Sequence, residues 1–518
     1  MKSQLNGIKD LVGKCGKEEL KTFSAYLRAF DPGTGNYRSK SFQLLELLKK
    51  KTEWTEEGLC AKIYGNNQSK SKQSFKRLLS RFKAKLYECL TLDVNIYRPG
   101  KFTELTQYRA EILKITLYNS VLRGKVSNKE FLKMVERGIT IAKEFELYHE
   151  LVNLLSIKNH FLRVLTKFEK LKEIDNDIDF YMSSQRAIQK ATDWHHLLIL
   201  NAGNKASGYT NFSDFDLAIT QMKEDYQRYK SANIKYFMLI IQMEFAHKMH
   251  DYLQAEKISY EQIELYKTSK AIYLKVRLAS AYLNLGNNQM YLYKFDDAIT
   301  SIRKSYPLYQ NQAFNLAIAK EIEFYVHYYA GNFQEAEELI THLIKGTDST
   351  SFQIEKRNFL LANVLVLKKQ NKEANRLLQE TREIEKDKEG WNLGIRILSI
   401  INLLETEKLD LVDMNIESMR KHIDRTLKLK AVRKRDVIIL KLLTRLGRYA
   451  FNFKFVWKKY KPQFDLLASD EAEYRWEMKT HEMIIFHLWF KAKATGKPYE
   501  YKLHTPLKEL TSDDRVGD

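Results

Sequence analysis

The sequence predicts an all-α protein, and three observations lead there. Proline is scarce: the six are Pro32, Pro99, Pro307, Pro462, Pro498 and Pro506, so none interrupts the chain from Gly100 to Tyr306. Proline removes a helical hydrogen-bond donor and clashes with the turn before it, so its absence leaves long helices permitted. Leu, Lys and Glu are abundant, and no run of alternating β-branched residues is bounded by turn pairs such as Asn-Gly. At 518 residues and 44% hydrophobic, the chain can bury a substantial interior, with about three domains expected from length alone unless repeats change the count.

Residues 1–98 predict a basic helical region. "DPGTGNY" (31–37) breaks the first helical stretch with Pro and Gly. "SFQLLELLKK" and "TEEGLCAKIYG" follow as two further helices. A polar turn of about seven residues, "GNNQSKS", then leads into "SKSKQSFKRLLSRFKAKLYECL" (69–90). At helical spacing Phe75, Leu78, Leu79, Phe82, Leu86 and Leu90 share one apolar arc, while Lys76, Arg77, Arg81 and Lys83 project elsewhere and Lys70 and Lys72 open the helix. A recognition helix needs that layout, with one face seated on its domain and cations free to reach phosphates and guanine edges. No β-hairpin wing is expected after it, only "DVNIYRPGKF".

Residues 99–465 predict helical repeats. In "AYLNLGNNQMYLYKFDDAITSIRKSYPLY" (281–309), Gly286 and Ala298 provide small residues twelve apart, with Ile302 four further on. Antiparallel helices that cross closely need small residues at the crossing and larger apolar ones beside it. Steps of 38 residues from Ala298 reach Ala336, Ala374, Val412 and Ala450, and Ile340, Leu378 and Ile416 repeat the apolar position. Ala255 and Ala218 extend the series backward, which places the start of the array before residue 200.

This pattern resembles the tetratricopeptide repeat (TPR), whose signature small positions are a Gly on the first helix of a pair and an Ala on the second. The resemblance implies a right-handed superhelical α-solenoid with a concave binding face. It also implies that first helices carry the ligand contacts: Asn287 and Tyr291 in the Gly286 unit, then Glu321, Tyr325, Tyr328 and Tyr329 in the next. The basic-and-Asn clamp that holds a peptide carboxylate in some TPR modules is not reproduced. A small basic helical region ahead of such repeats is similar to the helix-turn-helix part of TPR-containing bacterial transcription regulators.

Charge is concentrated rather than diffuse. The formal net charge is +21; residues 1–100 account for +10 and residues 420–461 for +13, leaving the remainder slightly acidic. Local fields of this kind attract anions such as nucleic acid. In the late cluster Arg433, Lys434 and Arg435 mark a helix start where three adjacent cations must be solvated or matched by an anion, which makes them candidates for a second phosphate contact. After Pro462, "DEAEYRWEMKTHEMIIFHLWFKAKATGKPYEY" predicts one last amphipathic helix, a cap over 466–506, ahead of a disordered tail at 507–518.

Common chemistry is not expected. No Gly-rich phosphate loop and no His-Glu-x-x-His occurs. His195 with His196, and His247 with His250, lack a third ligand at suitable spacing, so no metal is expected, and "GYTNFSDFD" is wrongly spaced for a calcium loop. Cys15, Cys60 and Cys89 are odd in number and widely spaced, which predicts reduced thiols. No secretory signal and no membrane span is read in the sequence, so a cytoplasmic protein is expected. The expectation is a non-catalytic adaptor or regulator without a cofactor. Its repeats would bind a peptide or protein, and its basic N-terminal helices would contact nucleic acid; the alternative is a pure protein-interaction scaffold.

Overall fold

The computed structural model describes the chain except residues 1–3, 32–38, 51–53, 123–124, 165–167, 201–211, 311, 347–349, 385–386, 388–389, 428–432, 472, 500–502 and 504–518. The 507–518 tail therefore lies outside the described residues. Among those described there are helices and no strands. The chain forms two compact units, Met1–Gln185 and Arg186–Asp518.

The first unit opens with α1 (Gln4–Lys14), α2 (Lys17–Phe30), α3 (Lys40–Leu48), α4 (Glu56–Tyr64) and α5 (Ser69–Leu90). Their apolar faces meet in one core that includes Leu5, Phe23, Leu45, Leu59, Phe75 and Phe82. Short polar side chains start the helices where four backbone donors would otherwise be orphaned: Ser39 accepts from the Phe42 amide and Thr55 from the Gly58 amide. A single turn, α6 (Asp93–Ile96), leads to α7 (Glu104–Val121), α8 (Asn128–Glu144), α9 (Tyr148–Val164) and the long α10 (Phe168–His195), which carries the boundary between the units. Gly138 allows α7, α8 and α9 to meet: a Cβ there would lie 2.9 Å from Leu154 Cδ1 and 3.1 Å from Ile115 Cδ1.

The second unit continues with α11 (Phe212–Tyr229) and then runs in pairs joined by tight turns. These are α12 (Ala232–Lys248) with α13 (Tyr252–Thr268), α14 (Lys275–Tyr291) with α15 (Phe295–Ser305), and α16 (Ala313–Ala330) with α17 (Phe333–Ile344). Next come α18 (Ser351–Leu367) with α19 (Asn371–Glu380), α20 (Trp391–Glu405) with α21 (Leu409–Leu427), and α22 (Lys434–Arg448) with α23 (Phe453–Lys459). Each helix packs on the next, and so short a turn makes the two helices of a pair antiparallel. Two short helices, α24 (Lys461–Leu467) and α25 (Phe486–Thr495), close the unit.

One turn recurs with fixed geometry. A residue at positive φ follows the first helix (His250, Tyr293, Gly331, Lys369, Glu407 and Phe451). The second helix starts two residues later, and its fourth residue is the small or apolar one: Ala255, Ala298, Ala336, Ala374, Val412 and Val456, all fully buried. In five of the pairs the residue after the left-handed one donates to a carbonyl five back, as from Lys294 to Gln289 at 2.9 Å and from Gln370 to Leu365 at 2.8 Å; this satisfies an orphan carbonyl at the helix end. Pair α8/α9 in the first unit has the same turn, with Glu146 at positive φ and Leu151 buried.

The small-residue series is thus a packing series, and Gly286 shows why. A Cβ on it would lie 2.5 Å from Ile302 Cγ1 and 2.8 Å from the Ala298 carbonyl. The 38-residue step fails at its last position. Ala450 is exposed in the turn before α23 at φ 47°, and Val456 occupies the buried place, because α21, at 19 residues against 10 for α19, delays the next pair.

The expected C-terminal helix is also different. Among its described residues only the end of α24 and Phe486–Thr495 are helical, and those between Ser469 and Ile485 form an irregular strap. Its Trp476, Met478, Met483, Ile484 and Ile485 are buried in the same core as α14–α23. The dense apolar run is there because the strap is enclosed on several sides; helical amphipathicity is not its cause. Lys479 at φ 61° is incompatible with a continuous helix.

Candidate nucleic-acid and partner interfaces

The α4–α5 corner is tighter than its sequence suggests. Four residues, 65–68, separate the helices, within the three to four typical of a helix-turn-helix. Gly65 takes φ 80° to end α4, where a Cβ would be strained. Asn66 Oδ1 then accepts from the Gln68 amide at 3.1 Å and from Ser71 Oγ at 2.6 Å, pinning the turn.

Along α5 the apolar arc is buried as expected, with Cys89 added and Leu90 only half-buried. Phe82 packs edge-on against Phe23 at 5.3 Å. The cations lie on the other side: Lys70, Lys72, Lys76, Arg77 and Arg81 are exposed and Lys83 is half-buried. Lys72 pairs with Glu57 at 2.9 Å, a hydrogen bond that raises the Lys72 pKa and lowers that of Glu57. Lys83 lies 5.4 Å over the Tyr87 ring. Surface pairs and stacks of this kind contribute little and exchange readily, so α5 presents a run of cations that an anion can recruit.

The three cations of the late cluster serve a different purpose. Arg435 is 1% exposed; its guanidinium grips Glu482 at 2.5 and 2.8 Å and donates to the carbonyls of Leu467 and Tyr474. Arg433 donates to Asp436 at 2.8 Å and approaches His481 at 2.9 Å, while exposed Lys434 reaches Glu473 at 2.5 Å. Burial pushes the Asp436 carboxyl up, but His481 and Arg433 outweigh it and hold it well below the usual range. The cations at the start of α22 are therefore matched by carboxylates of this chain, Asp436 on α22 itself and Glu473 and Glu482 in the strap. Arg435 is unavailable to a phosphate.

The residues expected to line a partner groove do come together, but on the strap. Tyr329 Oη accepts from the Lys479 amide at 2.6 Å, and Asn287 Oδ1 accepts from Lys479 Nζ at 2.8 Å. That ammonium lies 5.9 Å over the Tyr325 ring. Tyr325, Tyr328 and Tyr329 are 2%, 0% and 0% exposed. They are core residues: the strap covers Tyr325 and Tyr329, and Tyr328 packs on Phe324, Tyr329 and Phe333. Tyr291 stacks on Tyr252 at 4.3 Å and beside the strap lines a cavity of about 380 Å³ with Arg475, Trp476 and Glu477. Glu321 is bound to Lys356 at 2.8 Å and Arg357 at 3.5 Å. Burial pushes the Lys479 ammonium down to about 8, with Lys356 adding to the shift and Glu321 opposing it.

A second cavity, of about 340 Å³, opens between α16, α17 and α18, lined by Ala313, Phe314, Ala317, Leu343 and Gln353 among others. Phe314 is 64% exposed, and Ile318 and Phe352 are each 38% exposed. Sequence reasoning missed this surface, since an apolar residue at the first turn of a repeat helix looks the same whether the neighbour covers it or not. Among the described residues no cluster of three His, Cys, Asp or Glu is arranged to hold a metal, and no helix is long and apolar enough to cross a membrane. No family model matches the chain. No curated protein matches it either, so the chemistry of these surfaces is what speaks for function.

Proposed function

We propose that the protein is a non-catalytic regulatory adaptor that contacts nucleic acid through α5 and a protein partner through a TPR-like helix array. The carrying observation is α5 itself. It follows a four-residue turn, its apolar face is spent on its own core, and its exposed Lys70, Lys76, Arg77 and Arg81 point away from that core. Recognition helices combine these features because a seated helix can offer a rigid row of cations to a groove. Support for a TPR-like array comes from the Gly286–Ala298 crossing and the recurrent turn. With Tyr325, Tyr328 and Tyr329 covered, the partner surface moves to Phe314, Ile318 and Phe352, which suit an apolar side chain inserted at the α16–α18 cavity.

The test is a duplex-DNA titration of the full chain over a salt series. Arg77→Ala with Arg81→Ala should leave helicity intact, weaken binding, and reduce the salt slope by about one unit per lost phosphate contact. If binding and slope are unchanged, α5 is a solvated face. The scaffold reading would then lead, with Phe314→Ala abolishing capture of a protein partner.

A further inference from the structure

The field of the late cluster comes from a surface that the matched cations at the start of α22 do not include. From residue 437 to 464 the chain has no Asp or Glu, but it has Lys441, Arg445, Arg448, Lys454, Lys458, Lys459 and Lys461. Lys441, Arg445 and Arg448 recur at helical spacing on α22, and α23 with the start of α24 supplies the rest. Rings are interleaved among them. Arg445 lies 5.6 Å over Tyr460, and Lys459 lies 4.7 Å over Tyr449 and 5.3 Å over Phe455. Tyr449 and Phe455 meet at 4.8 Å, and Lys459 donates to Tyr449 Oη at 2.7 Å. Arg445, Tyr449, Phe455, Lys459 and Tyr460 are thus one contiguous cluster. Two carboxylates border it: Asp465, paired with Lys461 at 3.2 Å, and Asp413, packed at Gly447.

We propose that this face of α22–α24 is a binding site for single-stranded nucleic acid, separate from α5. Two kinds of group are needed for such a strand, cations that track the backbone and flat rings on which unpaired bases stack, and both are present within one cluster. The ring faces now carry Lys459 and Arg445. A base takes the place of Lys459 over Phe455 and Tyr449, and the displaced ammonium moves to the adjacent phosphate. Duplex DNA cannot use the rings, because its bases are already stacked. An anionic bilayer is the poorer match, since Phe455, 43% exposed, is the large apolar residue that stands out of this face. The field also lowers the pKa of the half-buried Tyr449 phenol, through its hydrogen bonds with Lys459 and Tyr460 and the nearby charges of Lys459 and Arg445.

The test uses the full chain and a labelled oligo-uridine of about twelve nucleotides, with duplex DNA and phosphatidylserine vesicles as competing probes, over a salt series. Lys441→Gln with Arg445→Gln and Lys459→Gln should weaken oligo-uridine binding at least about tenfold near 100 mM salt and reduce the slope by about two. Phe455→Ala should weaken it about tenfold with the slope unchanged. If the Ala variant melts early, Phe455→Leu keeps the volume and removes the flat face. Arg77→Ala with Arg81→Ala should leave oligo-uridine binding intact, so loss of either site is read separately. The proposal is overturned if both sets of α22–α23 variants bind oligo-uridine like the wild type, or if their deficit appears on vesicles or duplex instead.

Discussion

Lys479 concentrates the residue-scale physics of this protein. It is a charged side chain half-buried against the core, with Asn287 as its hydrogen-bond acceptor and a positive φ in its backbone. Its folded pKa, about 8, lies below the ordinary 10.5. Between those values the unfolded chain binds a proton that the folded chain does not, so stability rises with pH across that window; below about 8 both states are protonated and the full cost of the buried charge is present. Lys479→Met should therefore stabilise the protein at pH 7, by about 1 to 2 kcal/mol once Asn287 loses its donor. In urea titrations the gap should close as pH rises toward 10; a constant gap would show that the ammonium is not desolvated. Gly286 is the opposite case, a residue whose side chain must be absent. Gly286→Ala would put a Cβ against Ile302 and the Ala298 carbonyl and should cost about 1 to 3 kcal/mol, read as a lower thermal midpoint. Gly286 and Ala298 were legible from spacing alone, because close crossing admits few residue types. Lys479 was not, since nothing local distinguishes a lysine that will be buried.

Among the elements, the strap behaves least like its sequence. It is held by the Arg435–Glu482 pair, in which both side chains are at most 1% exposed. Removing one member of such a pair leaves an uncompensated buried charge and costs about 3 to 5 kcal/mol. Arg435→Met should therefore loosen residues 469–485 and make the Lys479 peptide bond accessible to trypsin under native conditions, with amide exchange in the strap rising first. A cleavage pattern identical to the wild type would mean that Trp476 and Met478 hold the strap without the pair. Sequence periodicity expected a helix here because Ile484, Ile485 and Phe486 are as apolar as a buried helix face. The recurrent turn was partly legible: the Ala series marked its far side, while the left-handed residue, which is His, Tyr, Gly, Lys, Glu or Phe, has no common side-chain chemistry. For α5 the apolar arc was legible but for Cys89, and the turn before it came out shorter because Ser69, Lys70 and Ser71 join the helix.

At the scale of the whole molecule, the sequence by itself determined the class of protein: all helical, cysteine-poor, repetitive, and basic in two places. These follow from composition and periodicity, which act through local backbone preference and one-sided burial and need no knowledge of neighbours. It also placed the cations of α5 correctly, since an amphipathic helix that buries one arc must expose the other. Tertiary structure alone decided which of the singled-out residues remain available. Arg435 and the tyrosines at 325, 328 and 329 were candidate contacts and are core; the strap supplies Glu482 to Arg435, 47 residues away, and Lys479 to Tyr329, 150 residues away. The basic field of α22–α24 survives on the outside, because the carboxylates that neutralise Arg433, Lys434 and Arg435 lie at the start of α22 and in the strap. Charge and ring counts are sums over sequence, whereas exposure depends on contacts between distant segments, and in this chain the strap makes those contacts.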